Sequence, residues 1–281
     1  LAQLPDGHLL PPLPFTPGER HLQGRIGDAL NLPLIHSRGF NLHREPGWPR
    51  SASQGSTLAR ARATGRTQVR SHAVVSHLVL DGERARGVVV MDGSTGAQEQ
   101  ITAPLVVLCA STIETLRILL HSSAAHQAGG LADPSGSLGR YLMDHISSSR
   151  FFSIPGVGAP RDPVELSGAG SCFIPNTVNL GPASATNFQG GYGLWTALQR
   201  FDPPALLQRR RGEAVGFLIG HGDVQANADN QVTLNGEHLD AWGLPTAHIN
   251  CRWGANEQRL VAHMHRRMEA VVAAGGGQIR P

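Results

Sequence analysis

The sequence predicts an α/β region that gives way, near residue 150, to an antiparallel-sheet α+β region. Three observations predict it. Residues 66–120 read as strand, turn, strand, turn, strand, then a short apolar run and a helix. Residues 151–260 hold strand-like runs cut by Pro and Gly. Residues 255–273 put Leu260, Met264, Met268, Val271 and Val272 on one helical face, started by Asn256 or Ala255 and stopped by Gly275.

Each element has its own reason. Pro5, Pro11, Pro12, Pro14 and Pro17 make the lead extended and irregular. A helix over Pro17–Leu30 follows, opened by Gly18-Glu19-Arg20, because Leu22, Ile26 and Leu30 recur every four residues. Leu34 to Ser37 reads as a brief strand, residues 44–56 as a loop, and Thr57 to Ala63 as a short helix closed by Thr64-Gly65. Val69–Leu80, Arg86–Asp92 and Gln98–Ile101 form the meander, with turns at Asp81–Arg84 and Gly93–Gly96. Leu105–Ala110 is an apolar run of the kind buried on both faces of a sheet. A helix springs from its tip: Ser111-Thr112-Ile113-Glu114 fits the S-x-x-E capping box, with Leu116, Leu119 and Leu120 as the apolar face. Further strands are expected at Ser149–Ile154, Gly191–Leu198, Val215–Gly220, Gln231–Leu234 and Thr246–Cys251.

Composition removes several chemistries. All 24 Lys+Arg residues are Arg, so a P-loop, a pyridoxal phosphate enzyme or a Schiff-base aldolase cannot be built from this chain alone. A net charge of only +3, with no Arg run interleaved with aromatics, argues against nucleic acid. Arg209-Arg210-Arg211 reads as a solvated loop. Cys109, Cys172 and Cys251 form no CxxC pair, so reduced, buried thiols are expected rather than zinc or disulfides. The 14 His include no pair at ligand spacing, and His263 and His265 fall on different helix faces. No apolar run reaches the ~18 residues of a membrane span, and no signal peptide is recognised, so a cytoplasmic location is expected.

Ligands of open α/β sheets bind at strand carboxyl ends near helix N-termini, which makes Ala110-Ser111-Thr112 a site candidate. The alternative is an ordinary strand-to-helix connection with a good cap. Asp144-His145 can orient an imidazole, although neighbours in a strand point to opposite faces, so a structural His is the alternative.

Read together, these stretches resemble the glucose–methanol–choline (GMC) family of flavin-dependent oxidoreductases. Ala61–Gly65, Val69–Val75 and Arg84–Val88 are similar to its adenine-side meander. Val106–Leu120 is similar to its second signature, in which more usual members carry Gly and Pro where this chain has Ser111 and Leu116. Leu131-Ala132 and Leu138–His145 resemble the segment that passes the flavin. Asn230–Leu234 with Asp240–Pro245 resembles the substrate-domain strand and turn.

The resemblance implies a partial α/β FAD-binding domain (a buried strand, β-meander and helices) with an antiparallel-sheet α+β substrate domain. Residues 1–50 would be the lead and the start of the substrate or lid region, 51–150 the partial FAD-binding domain, and 151–281 the β-rich substrate domain with its closing helix. It implies FAD as cofactor, approached by the Val74 backbone, Ala110, Ser111, Thr112, Asp144, His145, Ser53 and Gln54. Glu114 is accounted for by the capping box, and Arg117 by a solvated or salt-bridged position. It implies a small-molecule alcohol or sugar substrate and oxygen or a redox partner as electron acceptor. His221 and Gln225 are candidate substrate-facing residues. The G-x-G-x-x-G motif is absent from the sequence, and the family's catalytic His pair is expected beyond Pro281, so the chain reads as the central portion of a longer enzyme and its catalytic residues stay unassigned. The competing reading is a non-catalytic, flavoprotein-derived binding module or one part of a split enzyme.

Overall fold

The computed structural model describes residues 14–36, 53–55, 57–125, 131, 133–158, 172–180, 186–208, 210 and 212–280. Most of the loop read at 44–56, Ala132, Arg209 and Arg211 lie outside the described residues. In chain order the elements are α1 (Pro17–Leu30), β1 (Ile35–His36), α2 (Thr57–Ala63), β2 (Ala73–Asp81), β3 (Arg84–Asp92), β4 (Gln98–Thr102), α3 (Ser111–Ala125), β5 (Ile146–Pro155) and β6 (Cys172–Ile174). There follow β7 (Tyr192–Leu198), β8 (Glu213–Gly222), β9 (Gln231–Leu239), β10 (Pro245–Asn250), α4 (Ala255–Ala274) and β11 (Gln278–Arg280). Ser53–Gly55 adds one 3-10 turn. No helix among the described residues is long and apolar enough to cross a membrane. The chain forms two compact units, each assembled from separate stretches.

One unit is built on a six-stranded antiparallel sheet, ordered β1-β6-β7-β8-β5-β11. Alternation along β8 sends Ala214, Leu218, Gly220 and Gly222 to the face carrying α1 and α4. There Leu22 and Ile26 of α1 and Leu260, Met264, Met268, Val271 and Val272 of α4 join Phe152, Ile154, Leu194, Leu198 and Leu218 in a single core. The helix lies close: a Cβ at Gly220 would stand 2.3 Å from the Met264 sulfur.

The start of α1 is tied into this core by charge. Thr16 caps the helix: its Oγ1 accepts from the Glu19 amide at 3.1 Å, and its own amide donates to Glu19 Oε2 at 2.9 Å. The same carboxylate receives Arg200 twice, Nε to Oε1 at 2.7 Å and Nη2 to Oε2 at 2.6 Å. Both side chains are 1% exposed or less. Arg200 Nη2 also donates to the Pro14 carbonyl at 2.5 Å. Sequence reasoning opened this helix at Gly18-Glu19-Arg20 and found neither the Thr16 cap nor Arg200 as the partner of Glu19.

The other unit carries the three-stranded antiparallel sheet β2-β3-β4 and the hairpin β9-β10. Helix α3 packs on β2, where Ser122 Oγ accepts the Leu78 amide at 2.8 Å and donates to the Ile118 carbonyl at 2.6 Å. Arg117 Nη2 donates to Asp240 Oδ2 at 2.7 Å, and Asp240 Oδ1 closes the hairpin turn by accepting from Trp242 and Leu244. Gly139 lies at φ +82°, and a Cβ there would meet the Val232 carbonyl at 2.4 Å, so only glycine lets this strand-like segment bond β9.

Four expectations need correction. Leu105–Ala110 forms no strand, and Leu105 and Val107 are 74% and 72% exposed. A strand needs a hydrogen-bonding neighbour, and β2, β3 and β4 pair only among themselves. The Ser111 capping box does not form: Ser111 has φ +65°, whereas an N-cap residue is extended, and Glu114 turns instead to Arg117 at 3.5 Å. The first meander strand begins at Ala73 rather than Val69. Cys172 is buried, but Cys109 and Cys251 are exposed.

Arg200→Ala leaves the Glu19 charge buried without its partner; it is expected to lower the unfolding free energy by about 3–5 kcal/mol, measured as a shifted denaturation midpoint at constant slope. Ser111→Gly removes the left-handed penalty of a Cβ and should stabilise by about 1 kcal/mol; a loss of stability would contradict the assignment. Burial lowers the pKa of His36, His121, His263 and His265 below the ordinary 6.5. The unfolded chain therefore binds these protons more readily, so this stability is full above about pH 6.5 and is lost as pH falls through that value toward the lowered folded pKa. The thermal midpoint should drop between about pH 7 and pH 5; a flat profile would refute this.

Candidate functional site

The six-stranded sheet has a second face, opposite α1 and α4, and strand register determines what stands on it. Ile35 pairs with Phe173, Phe173 with Trp195, Trp195 with Ile219, and Ile219 with Ser149. These five residues form one row across five strands. Two residues along the strands lies a second row, Gly193–His221–Ser147. The Phe173 ring lies over Gly193, where a Cβ would come within 2.4 Å of it. Phe173, Trp195 and Ile219 are half-buried, and His221, Ser147 and Ser149 are exposed.

The rings on this face form a chain of edge contacts. Phe173 to Trp195 is 6.2 Å between centroids at 81°, Trp195 to His221 is 6.3 Å at 81°, and His221 to His145 is 6.3 Å at 88°. These spacings and angles are those aromatic pairs prefer. At its polar end Asp144 Oδ1 accepts the His145 amide at 2.6 Å. Toward the other end Phe201 packs on Phe217 at 5.2 Å and on Phe151 at 6.4 Å. His221 is the one ionisable side chain in the two rows.

Ionisable and nucleophilic groups on the helix-covered face do other work. Ser148 Oγ lies 2.7 Å from His265 Nε2, the distance of a nucleophile and its base. Arg150 Nη2, however, donates to His265 Nδ1 at 3.1 Å. A guanidinium can only donate, so Nδ1 carries the lone pair and Nε2 carries the proton. His265 therefore donates to Ser148 and cannot take its proton. Tyr192 Oη meets His263 Nδ1 at 2.7 Å, so His263 and His265 reach different partners, as their spacing implied. Burial pushes the Cys172 thiol up, which keeps it protonated and unreactive. No group of three or more His, Cys, Asp or Glu among the described residues could hold a metal.

The cofactor-side residues divide between the two units. Val74 lies on β2, an edge strand whose alternate backbone groups face away from β3. Ala110, Ser111 and Thr112 are exposed at the first turn of α3. Ser53 and Gln54, in the 3-10 turn, and Asp144 and His145, just before β5, belong to the other unit and are also exposed. All eight are thus on edges or surfaces. Of the substrate-facing candidates, His221 stands on the sheet face opposite α1 and α4, and the backbone N–H of Gln225 donates to Glu257 Oε1 at 3.1 Å. Sequence reasoning missed Phe173 and Trp195. Strand alternation gives Trp195 the same face as Gly193, but the pairing of β7 with β6 and β8 was needed to see the row.

Residues 29–147 match the family model described as GMC oxidoreductase. The chain is 29% identical over 247 residues to 2-methyl-1,2-propanediol dehydrogenase of Mycolicibacterium austroafricanum, covering 81% of this chain and 42% of that protein. It is 23% identical over 224 residues to the fructose dehydrogenase large subunit of Gluconobacter japonicus, covering 73% and 39%. The chain thus spans less than half the length of these relatives. Its fold matches pyridoxine 4-oxidase from Mesorbium loti with a TM-score of 0.60 at 18% identity, over 96% of this chain and 54% of that one. By these matches the chain is similar to members of the GMC oxidoreductase family.

Proposed function

We propose that the protein is an FAD-dependent oxidoreductase that oxidises an alcohol group, the electrons passing on to oxygen or a redox partner. The observation that carries this reading is the family match over residues 29–147, a span that contains Ser53, Gln54, Val74, Ala110, Ser111, Thr112, Asp144 and His145. Bound FAD supplies a two-electron acceptor for the hydride of the alcohol carbon while a base takes the hydroxyl proton, giving a carbonyl. On this reading residues 51–150 contribute the cofactor-binding part, and 151–281 the substrate sheet, with 1–50 leading into it.

This chain's own residues then have distinct tasks. The β2 edge at Val74 offers backbone groups to the adenine. The exposed first turn of α3 offers amides and a positive helix end to the pyrophosphate. Asp144 and His145 stand ready for the flavin side, and the sheet of residues 151–281 serves the substrate.

The protein bearing this chain should purify yellow, and an oxidisable alcohol added without oxygen should bleach its flavin band; a colourless protein that takes up no FAD would favour a non-catalytic binding module instead. Thr112→Asp separates folding from cofactor binding. A carboxylate in the first turn is neutral or mildly favourable for a helix, but it repels a diphosphate. FAD affinity should fall roughly tenfold, about 1.4 kcal/mol, while thermal stability of the apoprotein holds; unchanged affinity would remove α3 from the cofactor site.

A further inference from the structure

We propose that Asn235 is a site of spontaneous covalent modification in the folded protein: its side chain closes on the Gly236 nitrogen to a succinimide, which water opens to aspartate and isoaspartate. Asn235-Gly236 is the one Asn-Gly pair in the sequence. It falls in an interruption of the β9–β10 hairpin. Leu234 pairs with Ala247 and Leu239 with Pro245, so residues 235–238 stand opposite Thr246 alone. Gly236, Glu237 and His238 are exposed, and nothing lies within 4 Å of the place a Gly236 Cβ would take.

The local geometry favours ring closure. The Glu237 amide donates to Asn235 Oδ1 at 2.9 Å. Attack at Cγ drives charge onto that oxygen, so the donor sits where the charge develops. The Asn235 side-chain nitrogen, the leaving group, has no hydrogen-bond partner among the described residues. Gly236 has no side chain to hold its nitrogen away from Cγ, and attacker and target belong to one short segment, so the step is unimolecular. The Gly236 N–Cγ bond forms, the Cγ–NH2 bond breaks, and the amide proton passes through water to the departing ammonia. Hydrolysis at either ring carbonyl then adds one water, and no other reactant is consumed.

Comparable positions each lack one part. Asn227 has the same bond, from the Asp229 amide at 2.9 Å, and is exposed, but Ala228 follows it. Asn230 is buried, and its side chain exchanges two hydrogen bonds with the Arg252 backbone. Asp92-Gly93 has the glycine, but the Gly93 amide is engaged by the His72 carbonyl at 2.7 Å, and the carboxylate has no amide to expel. Isoaspartate lengthens the backbone by one methylene. The interruption of the hairpin absorbs that length without breaking the flanking pairs, so the modified chain stays folded.

The test incubates the full-length protein in neutral buffer made with heavy-oxygen water and maps its peptides by mass. Asn235 is expected to convert at least about tenfold faster than Asn227, taking up one heavy oxygen and giving isoaspartate as well as aspartate. Gly236→Ala, whose Cβ meets nothing, should fold normally and slow the conversion at least about tenfold. The folded protein should convert Asn235 at least as fast as the same protein unfolded in urea, because the Glu237 donor is held in place only by the fold. The modified form, separated by its added negative charge, should keep a thermal midpoint close to that of the unmodified protein. A smaller difference from Asn227 or from Gly236→Ala, faster conversion on unfolding, aspartate without isoaspartate, or modified chain found only in unfolded protein would overturn the proposal.

Discussion

An antiparallel sheet of six strands must bury one of its faces, and here α1 and α4 cover it with Leu, Ile, Met and Val side chains. The close approach of α4 requires small residues beneath it, which Gly220 and Gly222 of β8 supply. Because side chains alternate, the residue between those glycines, His221, is sent to the opposite face. The same parity sends Trp195 and Phe173 there. Packing on one side of the sheet thus dictates the chemistry presented on the other. Arg200 and Glu19 hold that packing in register, joining the end of β7 to the start of α1 through two charged hydrogen bonds from which water is excluded.

The three longest helices treat their N-terminal amides in different ways. In α1, Thr16 and Glu19 close the first turn reciprocally. In α4, Glu257 takes the Gly254 amide at 2.8 Å and the Gln225 amide at 3.1 Å. Each carboxylate neutralises the positive end of its helix from within the protein. Helix α3 has no such carboxylate cap among the described residues: Ser111 is left-handed and Glu114 is drawn toward Arg117. Its first turn is exposed.

Much of the local architecture was legible in the sequence. Leu22, Ile26 and Leu30 marked α1, and the bounds read for α1 and α2 are those observed. The meander, α4 and the antiparallel character of residues 151–260 were read from alternation, turns and helical period. Misreadings arose where a local pattern depends on a distant partner. Leu105–Ala110 has the composition of an inner strand, but a strand exists only beside another. Ser111-Thr112-Ile113-Glu114 has the spelling of a capping box, but the backbone at Ser111 adopts the left-handed turn in which resembling proteins carry Gly. The short strands β6 and β11 carry too few residues for any period to register.

The sequence alone determined the helical and strand periods, the exclusion of lysine chemistry and the likeness to flavin-dependent oxidoreductases, because these are properties of residue type and spacing. Only the tertiary structure decided that Arg200 pairs with Glu19 across 181 positions, that His265 donates to Ser148 rather than accepting from it, and that Phe173, Trp195 and His221 share one face of the sheet. Each of these depends on strand register and helix docking. Those follow from how distant segments share a core, which no local window of sequence contains.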